Sequence, residues 1–224
     1  MTEQEREREE ARRRMAALAL ESQKKGSNTD WFEEVYARAA GDSDRIPWAK
    51  LTAHPMLTDW LTRKAIDGTG KTALVIGCGL GDDAETLAGK GFRVTAFDIS
   101  PTAIEWCRQR FPDSPVIYLV ADLFHLDRSW EKAFDLVFES RTVQALPLDV
   151  RDEAIEAIER TVAPAGTLLV ITHLRPSENA PEGPPWPLCD RELSRFTELG
   201  LQEIERIPFD LREIPQLFLE YRRG

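Results

Sequence analysis

Cysteine, histidine, positive charge and long apolar runs are what this sequence has least of, and each shortage excludes something. Three cysteines, Cys78, Cys107 and Cys189, are too few and too odd in number for a disulfide framework and fit a reducing cytoplasm. With only three histidines, no His/Cys/Asp/Glu spacing resembles a zinc or iron site, so no metal is expected. No run approaches the roughly 20 apolar residues that span a bilayer, and the charged N-terminus lacks the apolar segment of a signal peptide; no membrane partner is expected. The 29 Lys and Arg fall short of the 39 Asp and Glu, for a formal charge of −10. That balance argues against a nucleic-acid partner, because phosphate binding needs a basic face. What remains is a cytoplasmic protein of 224 residues, monomer or homodimer, with one core large enough to stand alone.

What is present centres on Thr72 to Asp98. The apolar run Ala73 to Ile76 is short enough for a buried parallel strand. Gly77, Gly79 and Gly81 follow, and glycine lets a ligand lie against the backbone with no Cβ in the way. A helix is expected over Asp82 to Ala88, then a second strand over Phe92 to Phe97 that ends on Asp98. An acid there can accept hydrogen bonds from both hydroxyls of a ribose. A dinucleotide site wants its last glycine at position 82, where Asp82 stands with Asp83 after it. Two carboxylates at a helix N-terminus repel a pyrophosphate but suit a ligand with a sulfonium and an ammonium, such as S-adenosylmethionine.

Around this stretch the chain divides into three. Residues 1–25 read as a charged helical extension. Glu3, Arg6, Glu9, Arg12 and Arg13 can pair at helical spacing, and Met15, Leu18 and Leu20 are available for packing. Residues 26–68 read as helical, with capping residues at 27–30 before Trp31 and Tyr36, and with His54 at the edge of a helix, where it is expected to cap or face water. Residues 69–224 continue with a helix over 101–111, strands over 116–120, 134–138 and 167–172, a helix over 148–162, a Pro-rich loop over 175–188, a helix over 191–199 capped by Asp190, and two last strands.

Val75 to Asp83 matches the first motif of the class I (Rossmann-like) S-adenosylmethionine-dependent methyltransferases, and Phe97-Asp98-Ile99-Ser100 the second. Ala121-Asp122, Phe134 to Glu139 and Pro164 to Val170 match further family segments. The chain resembles that family from about Ala53 to its end, and the glycine loop and Gly183 to Trp186 resemble the thiol, thiopurine and halide branch. The resemblance implies an α/β fold: a three-layer αβα sandwich on a mostly parallel seven-stranded sheet closed by an antiparallel hairpin. It implies that Gly77, Cys78, Gly79, Gly81, Asp83, Asp98, Ile99, Asp122, Leu123 and Glu139 hold the cofactor S-adenosylmethionine, with Asp122 on the adenine amine. It also implies that residues 26–68 form a lid, so that Trp31, Tyr36 and Trp48, with Trp186 of the Pro-rich loop, line the substrate pocket. One position departs from the family. Many members carry an acid where Val75 stands, to fix the glycine loop, and Asp83 or the N-terminal segment is expected to replace it.

Two residues at strand ends are candidates for catalysis, because ligands of open α/β sheets sit outside those ends. Arg141 can hold an anionic substrate or favour the thiolate of a thiol; alternatively it pairs with Glu139 or an exposed acid. His173 can act as general base or only line the pocket. Methyl transfer from a sulfonium needs alignment and exclusion of water, and needs a base only when the nucleophile arrives protonated. The expected acceptor is a small thiol, selenol or halide. The alternatives are an O- or N-methyltransferase with His173 as base, and a nucleoside-binding protein without turnover in which Val75 marks a lapsed site.

Overall fold

The computed structural model describes residues 3–179, 181, 183–209 and 215–224, with side chains from Arg13 onward. The charged N-terminus forms one helix, α1 (Glu3–Lys24). The pairing expected among Glu3, Arg6, Glu9 and Arg12 lies outside the described side chains. Of the apolar patch, Met15 and Leu18 pack beside buried Ala19 against the aromatics of the next helix, while Leu20 faces outward. That helix, α2 (Asp30–Ala39), starts where Ser27 Oγ accepts the amides of Thr29 and Asp30. The helix α3 (Pro55–Arg63) starts on His54, whose Nδ1 accepts Met56 N at 3.2 Å. His54 is a cap, as expected.

The remaining elements alternate: β1 (Thr72–Ile76), α4 (Asp82–Gly89), β2 (Arg93–Asp98), α5 (Pro101–Arg110), β3 (Ile117–Val120), β4 (Phe134–Ser140), α6 (Arg151–Thr161), β5 (Val162–His173), α7 (Asp190–Glu198), β6 (Leu201–Phe209) and β7 (Gln216–Arg223). They form one seven-stranded sheet in the order β3-β2-β1-β4-β5-β7-β6. Pairing is parallel from β3 to β5 and antiparallel for β7 with both β5 and β6. Side chains alternate across each strand, which explains the continuous apolar runs: both faces are covered. Leu74, Ile76, Val137 and Val170 pack on α6 and α7, whereas Val75, Phe138, Leu169 and Ile171 pack on α3, α4 and α5. The three-layer architecture is the one expected.

Two boundaries differ from expectation. The helix expected over 148–162 opens with a 3-10 turn, Leu148–Val150, and only then becomes α6. The cap of α7 is Cys189 and not Asp190, because Glu192 reaches back to accept Cys189 N at 2.8 Å. Asp190 instead bonds Arg206 at 2.6 Å. No described helix is long and apolar enough to cross a membrane. The strand order reverses between β1 and β4, so the loops after these two strands diverge and leave a crevice at the carboxyl ends.

Candidate active site

On the β1 side the crevice is made of backbone. Gly77 turns the chain at φ +58° and Gly81 at φ +90°, conformations that side chains resist. A Cβ on Gly77 would lie 2.5 Å from Thr142 Oγ1, and one on Gly81 would lie 2.6 Å from the Tyr118 hydroxyl. The loop is held from outside. Thr142 Oγ1 donates to Ile76 O at 3.2 Å, Cys107 Sγ to Gly79 O at 3.2 Å, and Arg110 to Leu80 O. A hydrogen bond with Cys107, then burial, raises the pKa of Cys78, which keeps it a thiol.

Asp98 is 7 % exposed; its Oδ2 accepts Gly79 N and its Oδ1 accepts Ser100 N, each at 3.0 Å. Burial pushes its pKa up to about 6 against the pull of those amides. A carboxylate has about four lone-pair positions, so Asp98 keeps acceptor capacity beyond its backbone amides, enough for a ribose hydroxyl. Asp98 therefore anchors the glycine loop at Gly79, where Val75 offers no acceptor. The expectation that Asp83 would do so needs correction: Asp83 Oδ1 accepts His54 N at 2.7 Å and ties down the start of α3. Burial raises the pKa of Asp83 to about 6. Asp82, the other half of the expected pair, faces Arg110 at 2.9 and 3.0 Å and so is already compensated.

Past β3, Asp122 Oδ1 accepts Phe124 N at 3.0 Å and caps the short turn Leu123–His125; Leu123 is buried and Ile99 half-buried. Glu139 near the end of β4 is 1 % exposed. Its Oε1 accepts Thr142 N at 2.5 Å and Val143 N at 3.0 Å, and burial drives its pKa to about 7. Glu139 braces the turn that carries Thr142, and Thr142 in turn covers Gly77. Its Oε2 is buried with no hydrogen-bond partner among the described residues.

Over β4, β5 and β7 the crevice is made of side chains. Arg141 takes φ +66° and its amide donates to Ile171 O at 2.8 Å. Its Nη2 donates to Gln216 Oε1 at 2.6 Å, and its charge also acts on Glu139, pulling the pKa of that carboxyl down against the effect of burial. The same Nη2 lies 3.5 Å from His54 Nε2. Because His54 Nδ1 accepts the Met56 amide, the neutral ring carries its proton on Nε2. Burial, then Arg141, lowers the His54 pKa to about 4, so this ring is neutral at physiological pH. Gln216 pairs across the ladder with His173, which places both side chains on one face. His173 is held by Gln144: Oε1 of the amide accepts His173 N at 2.7 Å and Thr172 Oγ1 at 3.1 Å, and Nε2 lies 2.9 Å from His173 Nδ1.

Residues 26–68 pack over the glycine loop. Trp31 is 3 % exposed, stacked on Phe32 at 3.9 Å, and belongs to the lid's interior. Tyr36 is buried; its hydroxyl accepts Trp48 Nε1 at 2.8 Å and stands 3.3 Å from the point a Gly79 Cβ would occupy. It therefore sits over the glycine loop. Glu33 on α2 accepts Ser100 Oγ, Thr102 N and Thr102 Oγ1 at 2.5, 3.1 and 2.6 Å, which latches the lid to the start of α5. Trp48 and Trp186 are half-buried at the edge of this cluster. The Pro-rich loop is tied down through Trp186, whose N donates to Gln144 O at 2.7 Å and whose O accepts Arg151. Arg151 and Arg175 share Glu192 at 2.6 and 2.7 Å in the buried floor of that loop. Sequence reasoning did not assign Gln144, Gln216 or Glu33 to the site, and it took His54 for a cap or a surface residue. Nothing local marks them: Gln216 meets an arginine 75 residues away and Glu33 a serine 67 away. Among the described residues no cluster of three His, Cys, Asp or Glu side chains is arranged to hold a metal ion.

Residues 74–170 match a family model described as a methyltransferase domain. The chain is 31% identical to a probable thiol methyltransferase 2 of Arabidopsis thaliana over 66% of this chain and 66% of that protein. It is 27% identical to thiocyanate methyltransferase 1 of Brassica oleracea over 64% and 62%. The chain thus spans just under two-thirds of the length of these two relatives. Its fold is similar to that of the N-methyltransferase NodS from Bradyrhizobium japonicum in complex with S-adenosyl-l-homocysteine, with a TM-score of 0.65 at 22% identity over 86% of this chain and 98% of that one. The cradle that any Cβ would fill and the spare acceptor positions of Asp98 fit an adenosyl ligand.

Proposed function

We propose that this chain, which belongs to the class I S-adenosylmethionine-dependent methyltransferases, methylates a small nucleophile that arrives as an anion, with thiols, selenols and halides as the first class. The observation that carries this reading is the meeting of two donors, Arg141 Nη2 and the Nε2–H edge of His54, 3.5 Å apart at the carboxyl end of β4. Both groups can donate to one acceptor placed beside them, and a negative one suits the guanidinium. The relatives named for thiol and thiocyanate point the same way.

Bound over Gly77 to Gly81, the cofactor supplies a methyl group already activated by its sulfonium. The chain's own tasks are then few. Asp98 and the glycine loop orient the adenosyl end. Arg141 attracts the acceptor and favours a thiolate over a thiol, so no base is required. Tyr36 and Trp48 with the loop around Trp186 keep water out. A reducing compartment, the cytoplasm, suits three thiols that are all free.

An acceptor panel with labelled cofactor tests the proposal: hydrosulfide, thiophenols, iodide, phenols, amines and carboxylates. The fastest transfer is expected to a soft anion. Faster transfer to a phenol or an amine sinks the reading.

A further inference from the structure

We infer that Asp83 is a positioning residue: it holds His54 at a fixed place relative to the glycine loop and so sets where the acceptor meets the methyl group. That role rests on the acceptor site proposed above, beside Arg141 and His54.

Asp83 belongs by sequence to the cofactor half of the crevice. It is the second residue of α4, just after Gly81 closes the glycine loop at φ +90°. Its carboxylate nevertheless crosses to the other half, where Oδ1 accepts His54 N at 2.7 Å. His54 is the residue before α3, and the stretch that leads to it is exposed at Leu51 and Thr52. Asp83 fixes the point where that exposed stretch ends. Two further constraints turn the ring. Pro55 keeps His54 extended, at φ −63° and ψ 128°, and Nδ1 accepts Met56 N at 3.2 Å. The imidazole then stands with Nε2 3.5 Å from Arg141 Nη2 and its centroid 5.7 Å from that of Phe209. Pro55 and Met56 move with α3, so they set the direction of the ring and not its place. Leu57, Trp60 and Leu61 hold α3 in the core, but apolar contact is not directional. The hydrogen bond to Asp83 decides where the helix starts relative to α4.

The consequence is geometric. Methyl transfer is an in-line displacement, and a misplacement of about 1 Å can cost a hundredfold in rate. The glycine loop sets the place of the methyl donor, and Arg141 with His54 sets the place of the acceptor. One carboxylate joins the two across 29 residues of sequence. The role needs an acceptor oxygen for the His54 amide and does not need a charge, so an amide oxygen at the same position should serve nearly as well.

Variants of the full chain provide the test. With the best acceptor of the panel, Asp83→Ala should raise acceptor KM at least tenfold while affinity for S-adenosylhomocysteine, measured by calorimetry, stays within threefold. Asp83→Asn keeps an acceptor oxygen and should bring KM back to within threefold of wild type. Unchanged KM in Asp83→Ala overturns the inference. So does an Asn variant as impaired as the Ala variant, which would make the charge the working feature. Loss of S-adenosylhomocysteine affinity in both variants with acceptor KM intact would return Asp83 to the cofactor and overturns it as well. In a His54→Ala background, Asp83→Ala should add less than twofold to KM; a further tenfold rise means that Asp83 does not act through His54. Should Asp83→Ala not fold, the His54 amide of the 15N-labelled wild type decides. Exchange with water at least tenfold slower than at exposed Thr52 supports the inference, and exchange as fast as at Thr52 overturns it. If a phenol or an amine proves the best acceptor, the anionic reading fails, and the same KM comparison with that acceptor still decides the role of Asp83.

Discussion

Over β1 and β2 the crevice is bounded by main chain: three glycines, and one carboxylate that grips two amides. Over β4, β5 and β7 it is bounded by side chains that grip one another, Arg141 on Gln216 and Gln144 on His173. The first kind of boundary demands particular backbone angles and an absent Cβ, so few residue types satisfy it. The second demands only that donors and acceptors meet, and many combinations would do. A cofactor common to a whole family belongs in the first half, and an acceptor that varies belongs in the second.

Three changes break or sharpen that contrast. The largest effect is expected from Asp98→Ala, which removes the loop anchor and the acceptor we propose for the ribose hydroxyls. Affinity for S-adenosylhomocysteine in calorimetry should fall about a hundredfold, roughly 2.7 kcal/mol, with little change in acceptor KM. Unchanged affinity would remove the ribose role and with it the contrast.

Glu139 stands where the halves join, and its test is pH. Its folded pKa is raised from 4.5 to about 7 by burial. The folded state thus holds the proton more tightly than the unfolded chain. That contribution to stability is complete below pH 4.5 and is lost as pH rises through 7. Glu139→Gln imitates the protonated form, so its stability relative to wild type should improve by about 2 kcal/mol between pH 5 and pH 8 in denaturant titrations. A gap that stays flat with pH would mean Glu139 ionises normally.

The smallest effect is Arg141→Ala. Acceptor KM should rise about fivefold, on the order of 1 kcal/mol, with cofactor affinity within twofold. If cofactor affinity fell and acceptor KM did not, Arg141 would belong to the other half.

Legibility followed the same divide. The strand Ala73 to Ile76, the glycines at 77, 79 and 81, and Asp98 were visible because each is a local demand: an apolar run, a turn, an acid at a strand end. The helices of residues 26–68 were visible from their capping residues and aromatic face, yet the place of each ring was not. Trp31 went to the interior and Tyr36 to the glycine loop, because packing and the Trp48 hydrogen bond decided where the rings turned. The bracing of the glycine loop expected of Asp83 was not found, because its partner, the His54 amide, is 29 residues away and leaves no local mark.

From the sequence alone came the alternation of strands and helices, the glycine cradle and the acid beside it, since hydrophobic periodicity and the steric limits of the backbone act over a few residues. Only the tertiary structure decided that Asp98 would hold the amide of Gly79, that His54 would face Arg141, and that Gln144 would bond His173. Those meetings join segments 19 to 87 residues apart, and what brings them together is the packing of the sheet and its lid.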